Sequence, residues 1–200
     1  MSELKVNKIS PATGTAFTLG DSGDVFTVPS GATIVNSGTA TNFGSASVCV
    51  QAKYATNNTY SSATGVAIPM DDTIPQAAEG HDCGIDVAIT PDSASNILVI
   101  EGIVLAAHSG SGDMQVALLQ DSAQAIWASK IESSNSAGNQ YDQQKIFHVM
   151  LAGTTSATTF KVRTGPPAAG GTTYINGGNS SGRKMGGVSV CSLVVREYTP

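Results

Sequence analysis

His81, Asp82 and Cys83 stand in direct succession, three residue types that ligate metals. Structural zinc sites need spaced ligand pairs, with a second pair further along. Neither occurs here, so the triplet reads as a solvated turn. Asp71 and Asp72, with Asp82 and Asp86, supply the hard oxygens that Ca²⁺ takes, but without the register of an EF-hand loop. No metal site and no cofactor are expected. Glycoside hydrolysis would need two carboxylates facing each other across a groove. Glu79, Asp86, Glu101, Asp113, Glu132, Asp142 and Glu197 form no paired motif, and neither GPPAAGG nor GGNSSGRKMGG contains the Gly-x-x-x-x-Gly-Lys-Ser/Thr pattern of a phosphate loop. The sequence therefore predicts no enzyme. Sugar recognition asks instead for aromatic faces and planar amides. Asn135, Asn139, Gln140 and Tyr141 fall in one polar stretch, and Tyr174, Asn176, Asn179 and Arg183 in another. These eight are the candidate contacts.

The elements that must position them read as strands. Runs rich in Val, Ile, Leu, Phe and Thr lie at 47–54, 64–69, 84–90, 96–107, 114–120, 124–128, 145–151, 158–163 and 188–197, bounded by Gly, Asp, Asn, Ser or Pro. No segment keeps a helical period beyond two turns; residues 122–131 come nearest, and their flanks favour strand. An all-β sandwich follows. Successive strands of an antiparallel sandwich alternate in direction. Counting back from the last strand places the loops 108–113, 129–144 and 164–187 together at one tip, opposite the C-terminus; a full strand at Thr173–Ile175 would shift these ends but leave the other two long loops together. Loops on a rigid scaffold are where binding concentrates. Trp127, within a strand-like run, is assigned to the core or to a subunit interface.

Charged residues are 12% of the chain, about half the usual share, with Gly, Ser, Thr, Ala and Asn in their place. The net charge is −5 and the basic residues are scattered, which excludes the basic footprint of a nucleic-acid binder. The longest apolar stretch, 97–107, is interrupted by Glu101 and Gly102, so no membrane insertion is expected, and SELKVNKIS after Met1 lacks the form of a signal peptide. Cys49, Cys83 and Cys191 are an odd set without metal spacing, expected as buried reduced thiols.

Three zones emerge: a leader at 1–13, a glycine-punctuated β stem at 14–46, and a domain at 47–200 large enough for its own core. In the stem, short apolar bursts (Phe17/Leu19, Phe26/Val28, Ala32/Ile34) alternate with Gly14, Gly20, Gly23, Gly31, Gly38 and Gly44. Too few apolar side chains are present to order such a segment alone, and its strand edges would be open to pairing. Copies wrapped around one axis solve both problems, which predicts a closed symmetric homo-oligomer.

The segment LKVNKISPATGTAFTLGDSGDVFTVPSGATIVNSGTATNFG resembles the amino-terminal and stem segments of phage tail-fibre and other virion-fibre proteins, common in phages of aquatic bacteria. IPMDDTIPQAAEGHD, ITPDSASNILVIEG, LLQDS, MLAGTTSATTFKVRTG and VSVCSLVVREY are similar to the carboxy-terminal heads of such fibres. The resemblance implies a homotrimer with a β-structured stem and a jelly-roll β-sandwich head of the tumour-necrosis-factor or C1q sort. It implies a virion protein, assembled in the host cytoplasm. The leader would dock on other virion proteins, with Leu4, Lys5, Val6, Lys8 and Ile9 as the docking candidates. The head would meet a host surface glycan or protein through the eight residues named above. The short stem favours a stubby spike or a fibre on the capsid surface. A capsid-decorating fibre or cement protein is the alternative, and a polysaccharide depolymerase a third.

Overall fold

The computed structural model describes residues 13, 14, 23–25, 27–33, 47–110, 112–131, 142–178 and 182–200. The chain divides into two compact units, Met1–Ser45 and Ala46–Pro200. In the first unit the described residues include one tight turn. The Ala32 N–H donates to Pro29 O at 3.0 Å across Gly31, whose φ of +86° is what the third position of a type II turn requires. Leu4, Lys5, Val6, Lys8, Ile9 and most of the expected stem lie outside the described residues.

The second unit is built of strands: β1 (Cys49–Asn57), β2 (Ser61–Thr64), β3 (His81–Asp82), β4 (Val87–Ile89), β5 (Ile97–His108), β6 (Met114–Gln120), β7 (Ala125–Ile131), β8 (Asp142–Leu151), β9 (Thr158–Gly165), β10 (Thr172–Ile175), β11 (Gly177–Gly178), β12 (Gly182–Arg183) and β13 (Cys191–Tyr198). One sheet sets β1, β13, β5 and β8 side by side, and all pairings are antiparallel. Past Ile103, β10 takes over from β13 on the same edge of β5, and β2 pairs with β10. The facing sheet sets β9 between β6 and the two short strands β3 and β4, with β7 at its edge. Counting β3 and β4 as one interrupted strand, the first main strand pairs with the last, the last with the third, and the third with the sixth. The facing sheet runs second, seventh, fourth, fifth. This is the strand order of a jelly roll.

Alternation along β5 turns Leu98, Ile100, Val104 and Ala106 inward, where they meet Phe160 and Val162 of β9 and Leu193 and Val195 of β13 in one buried cluster. Gly102 keeps β13 close: a Cβ there would lie 2.8 Å from both Leu193 Cδ1 and Ser192 O. β6 reads MQVALLQ without alternation because both its faces are covered. Met114, Val116 and Leu118 enter the main core, while Ala117 and Leu119 pack with Ile68 in a smaller one beneath the connection 65–80.

Two expected elements shift. The run at 64–69 is not a strand; the strand lies earlier, at Ser61–Thr64, because Gly65 turns at φ +71° and sends the chain across the other sheet. There Ile68 N–H donates to Pro166 O and Gly80 N–H to Ala67 O. Within the expected loop 164–187, residues Thr172–Ile175 form β10 instead. The strand registers nonetheless bring the chain ends of 108–114, 131–142 and 165–191 to one end of the sandwich, opposite Tyr198.

Candidate functional site

At that end the sequence placed eight contact residues. Asn135, Asn139, Gln140, Tyr141 and Asn179 lie outside the described residues. Tyr174 and Asn176 are buried, not offered to solvent. The Tyr174 ring stacks on Tyr60 with centroids 6.4 Å apart. Asn176 adopts φ +53°, a conformation Asn tolerates better than most residues, directly after β10. Its Nδ2 donates to Asn57 O at 2.7 Å and Thr59 O at 3.2 Å, its backbone N–H to Leu105 O, and its Oδ1 accepts from Cys191 Sγ. The side chain therefore ties the end of β1 to β13, the backbone N–H adds a bond to β5, and the amide has no donor left for a ligand. Arg183, on β12, is exposed, its guanidinium lying over Gly187.

The interior at this end is polar as well. Thr164 Oγ1 donates across the sandwich toward Gln144 Oε1 at 2.6 Å, linking β9 to β8. His81 Nε2 meets Ser61 Oγ at 2.9 Å. Burial lowers the His81 pKa, the nearby Asp82 carboxylate opposes that shift, and Arg163 adds to it. Asp82 and Asp86 pair instead with Arg163 and Lys161. Among the described residues no three His, Cys, Asp or Glu side chains converge on one point. Burial pushes the Cys83 thiol well above its ordinary value, with Cys191 adding to the rise, and Cys191 is raised by burial too. Cys49, expected buried, is exposed at the start of β1.

The opposite end is fixed by Glu197. Burial alone would raise its pKa, but donors from Asn96 and Gln51 and from the Asp92 and Ser93 N–H groups hold it below the usual carboxylate range. It anchors the turn 90–96 against β13.

The surface that sequence reasoning missed is the outer face of the β1-β13-β5-β8 sheet. Phe147 (60% exposed), Val149 (47%) and Leu151 (63%) project from β8, and Tyr54 (78%) from β1. The register sets Tyr54, Val194, Glu101 and Phe147 in one row across the four strands, and Ala52, Arg196, Val99 and Val149 in the next. Glu101 and Arg196 form an ion pair between those rows. A shallow depression of about 440 Å³ runs past Glu101, Ile103, Lys145, Phe147 and Val194. A half-solvated antiparallel sheet ordinarily places polar side chains on the outside. The signal was in the sequence: both alternating sets of IFHVML are apolar but for His148, which a strand needs only when both faces are covered.

No protein-family model matches the chain, and no curated protein matches it. Solved structures that align with it include dimeric latent PorU from Porphyromonas gingivalis, at TM-score 0.33 and 10% identity over 80% of this chain and 14% of that one. The infectious bursal disease virus Gx strain structure aligns at TM-score 0.30, and the VP2 subviral particle of that virus at 0.28, each at 13% identity over 76% of this chain and 40% of that chain. The chain thus spans less than half the length of each of these proteins.

Proposed function

We propose that the chain is a structural component of a virion, a short homotrimeric fibre or spike whose N-terminal segment docks on the particle and whose jelly-roll head faces the host. The observation that carries this reading is the bare apolar sheet face. Phe147, Val149 and Leu151 form an exposed apolar stripe along β8, with Tyr54 exposed on β1 beyond the Glu101–Arg196 ion pair, on a domain that has its own buried core. Exposed patches of this kind mark association surfaces. A second and third copy of the same chain is the economical cover, because the expected stem also needs companions to order. The resemblance of the N-terminal and head segments to virion fibres supports the same reading, and the protein acts on this reading as a binding and structural module without catalysis.

The mass of the purified protein tests the assembly: three chains are expected, and a stable monomer would overturn it. Labelled antibody on purified particles tests the location. Deleting residues 47–200 abolishes adsorption if the head meets the host, and leaves infectivity intact if the protein decorates the capsid.

A further inference from the structure

The connection 65–80 does more than cover β6. Between it and the edge strand β7 runs a groove, about 390 Å³ where Asp72, Ile74 and Trp127 line it and about 260 Å³ where Met70, Gln115 and Lys130 do; Asp71, Thr73, Pro75 and Ala128 belong to both parts. We propose that this groove binds a neutral saccharide residue. The proposal deepens the reading of the head as host-facing, and rests on that reading for the source of the sugar.

Four features point to the ligand. First, Gln115 is only 5% exposed, and its Oε1 has no hydrogen-bond partner. Its Nε2 meets only the Met70 thioether, at 3.9 Å. A buried amide so poorly satisfied costs about 1–3 kcal/mol, and a ligand hydroxyl that displaces the flexible, exposed Met70 side chain supplies what is missing. Second, the rim carries acceptors. Asp71 Oδ1 receives the Thr73 N–H at 2.9 Å and the Thr73 hydroxyl at 2.5 Å, which fixes that carboxylate in place and holds it ionised to lower pH than usual. Asp72 stands beside it. Ionised carboxylates take hydroxyl donors and reject anions. Third, Ile74, Pro75 and Ala128 give the groove an apolar side that suits the C–H face of a sugar ring, while Trp127, opposite Leu118, packs against the main core as the sequence led us to expect. Lys130, the cation of the groove, is engaged with Asp113 at 2.8 Å, so the local field disfavours acidic sugars. Fourth, the edge of β7 is partly taken. Ala125 N–H donates to Pro75 O at 2.8 Å, which blocks addition of a peptide strand at that end.

Trp127, the only tryptophan of the chain, packs against the main core, so binding is followed by isothermal titration calorimetry and not by its fluorescence. The full chain is titrated with methyl glycosides of the neutral hexoses and N-acetylhexosamines, with methyl sialoside as the acidic comparison. At least one neutral glycoside gives a saturable binding isotherm, and Asp71→Asn weakens the binding about tenfold or more. Asn retains the Oδ1 acceptor for Thr73, so the turn survives. Gln115→Leu weakens it as well, with circular dichroism unchanged. No response to the neutral panel, equal affinity for the sialoside, or affinity indifferent to Asp71→Asn overturns the proposal. A response confined to extended peptides overturns it in favour of strand addition along β7. A trimeric, virion-borne protein that ignores every sugar refutes the groove and leaves the fibre reading standing. A sugar-binding chain absent from particles does the reverse.

Discussion

The two sheets of the sandwich treat their outer faces in opposite ways. On the β9-β6-β7 sheet the chain supplies its own cover: the connection 65–80 folds back, and Ile68 closes over Ala117 and Leu119 to make a second small core. On the β1-β13-β5-β8 sheet nothing from the described chain lies over Phe147, Val149 and Leu151, although the side chains are of the same apolar kind. The difference teaches that apolar outward positions do not by themselves identify an interface. They identify a face that something must cover, and only the topology says whether the cover is intramolecular. A sixteen-residue connection serves one sheet; on the reading proposed above, a second copy of the chain serves the other.

This contrast can be broken from either side. The largest effect is expected from charging the bare face. The double variant Phe147→Asp, Leu151→Asp should reduce the assembly to single chains by light scattering while the circular dichroism of the head stays unchanged; an unaltered mass would remove that face from the interface. On the covered face, Ile68→Ala should leave the mass unchanged and lower stability by about 2–5 kcal/mol in denaturant melts, the usual cost of a buried Ile truncation. Glu197→Gln should cost about 1.5–3 kcal/mol, since it weakens charge-assisted bonds to a fully buried acceptor without touching either outer face.

Acidification acts on both ends of the sandwich in sequence. His81 has a lowered folded pKa, so the stability it contributes is complete above the unfolded value of about 6.5 and is lost as pH falls through the folded one. Glu197 likewise has a lowered folded pKa; its contribution is complete above about pH 4.3 and disappears below the folded value. Thermal melts from pH 8 to pH 3 should therefore fall in two steps, and Glu197→Gln should diminish the lower one, to which Asp71 also contributes. The smallest change is expected at the exposed Lys130–Asp113 pair, where Asp113→Asn should cost under about 1 kcal/mol.

Much of the sandwich was legible because burial dictates composition. The strand at Met114–Gln120 was read with its observed bounds, since a strand covered on both faces is a plain apolar run between turns. β2 and β10 were not, because SSAT and TTYI carry little apolar signal and gain their place from pairing at the end of β5 and from the Tyr60–Tyr174 stack. Tyr174 and Asn176 looked like ligand contacts for the same reason: polar and aromatic letters among glycines do not reveal that an amide will be spent on three backbone and thiol partners. Asp71 and Asp72 were noticed, but as ion ligands. What gives them a different meaning is Gln115, a lone amide inside an apolar strand, and a polar letter in such a run is the signal that could have led to the groove. The apolar outer set of β8 is equally visible in the sequence, yet only the structure shows that no strand or connection of the described residues lies above it.

The unequal burial of the three cysteines has a practical consequence. Cys83 and Cys191 are enclosed and held in the unreactive thiol form, whereas Cys49 opens to solvent where the head begins. A maleimide dye should therefore mark each native polypeptide once, at the start of β1, and stepwise photobleaching of the labelled protein would count the chains in any assembly it forms without an engineered handle.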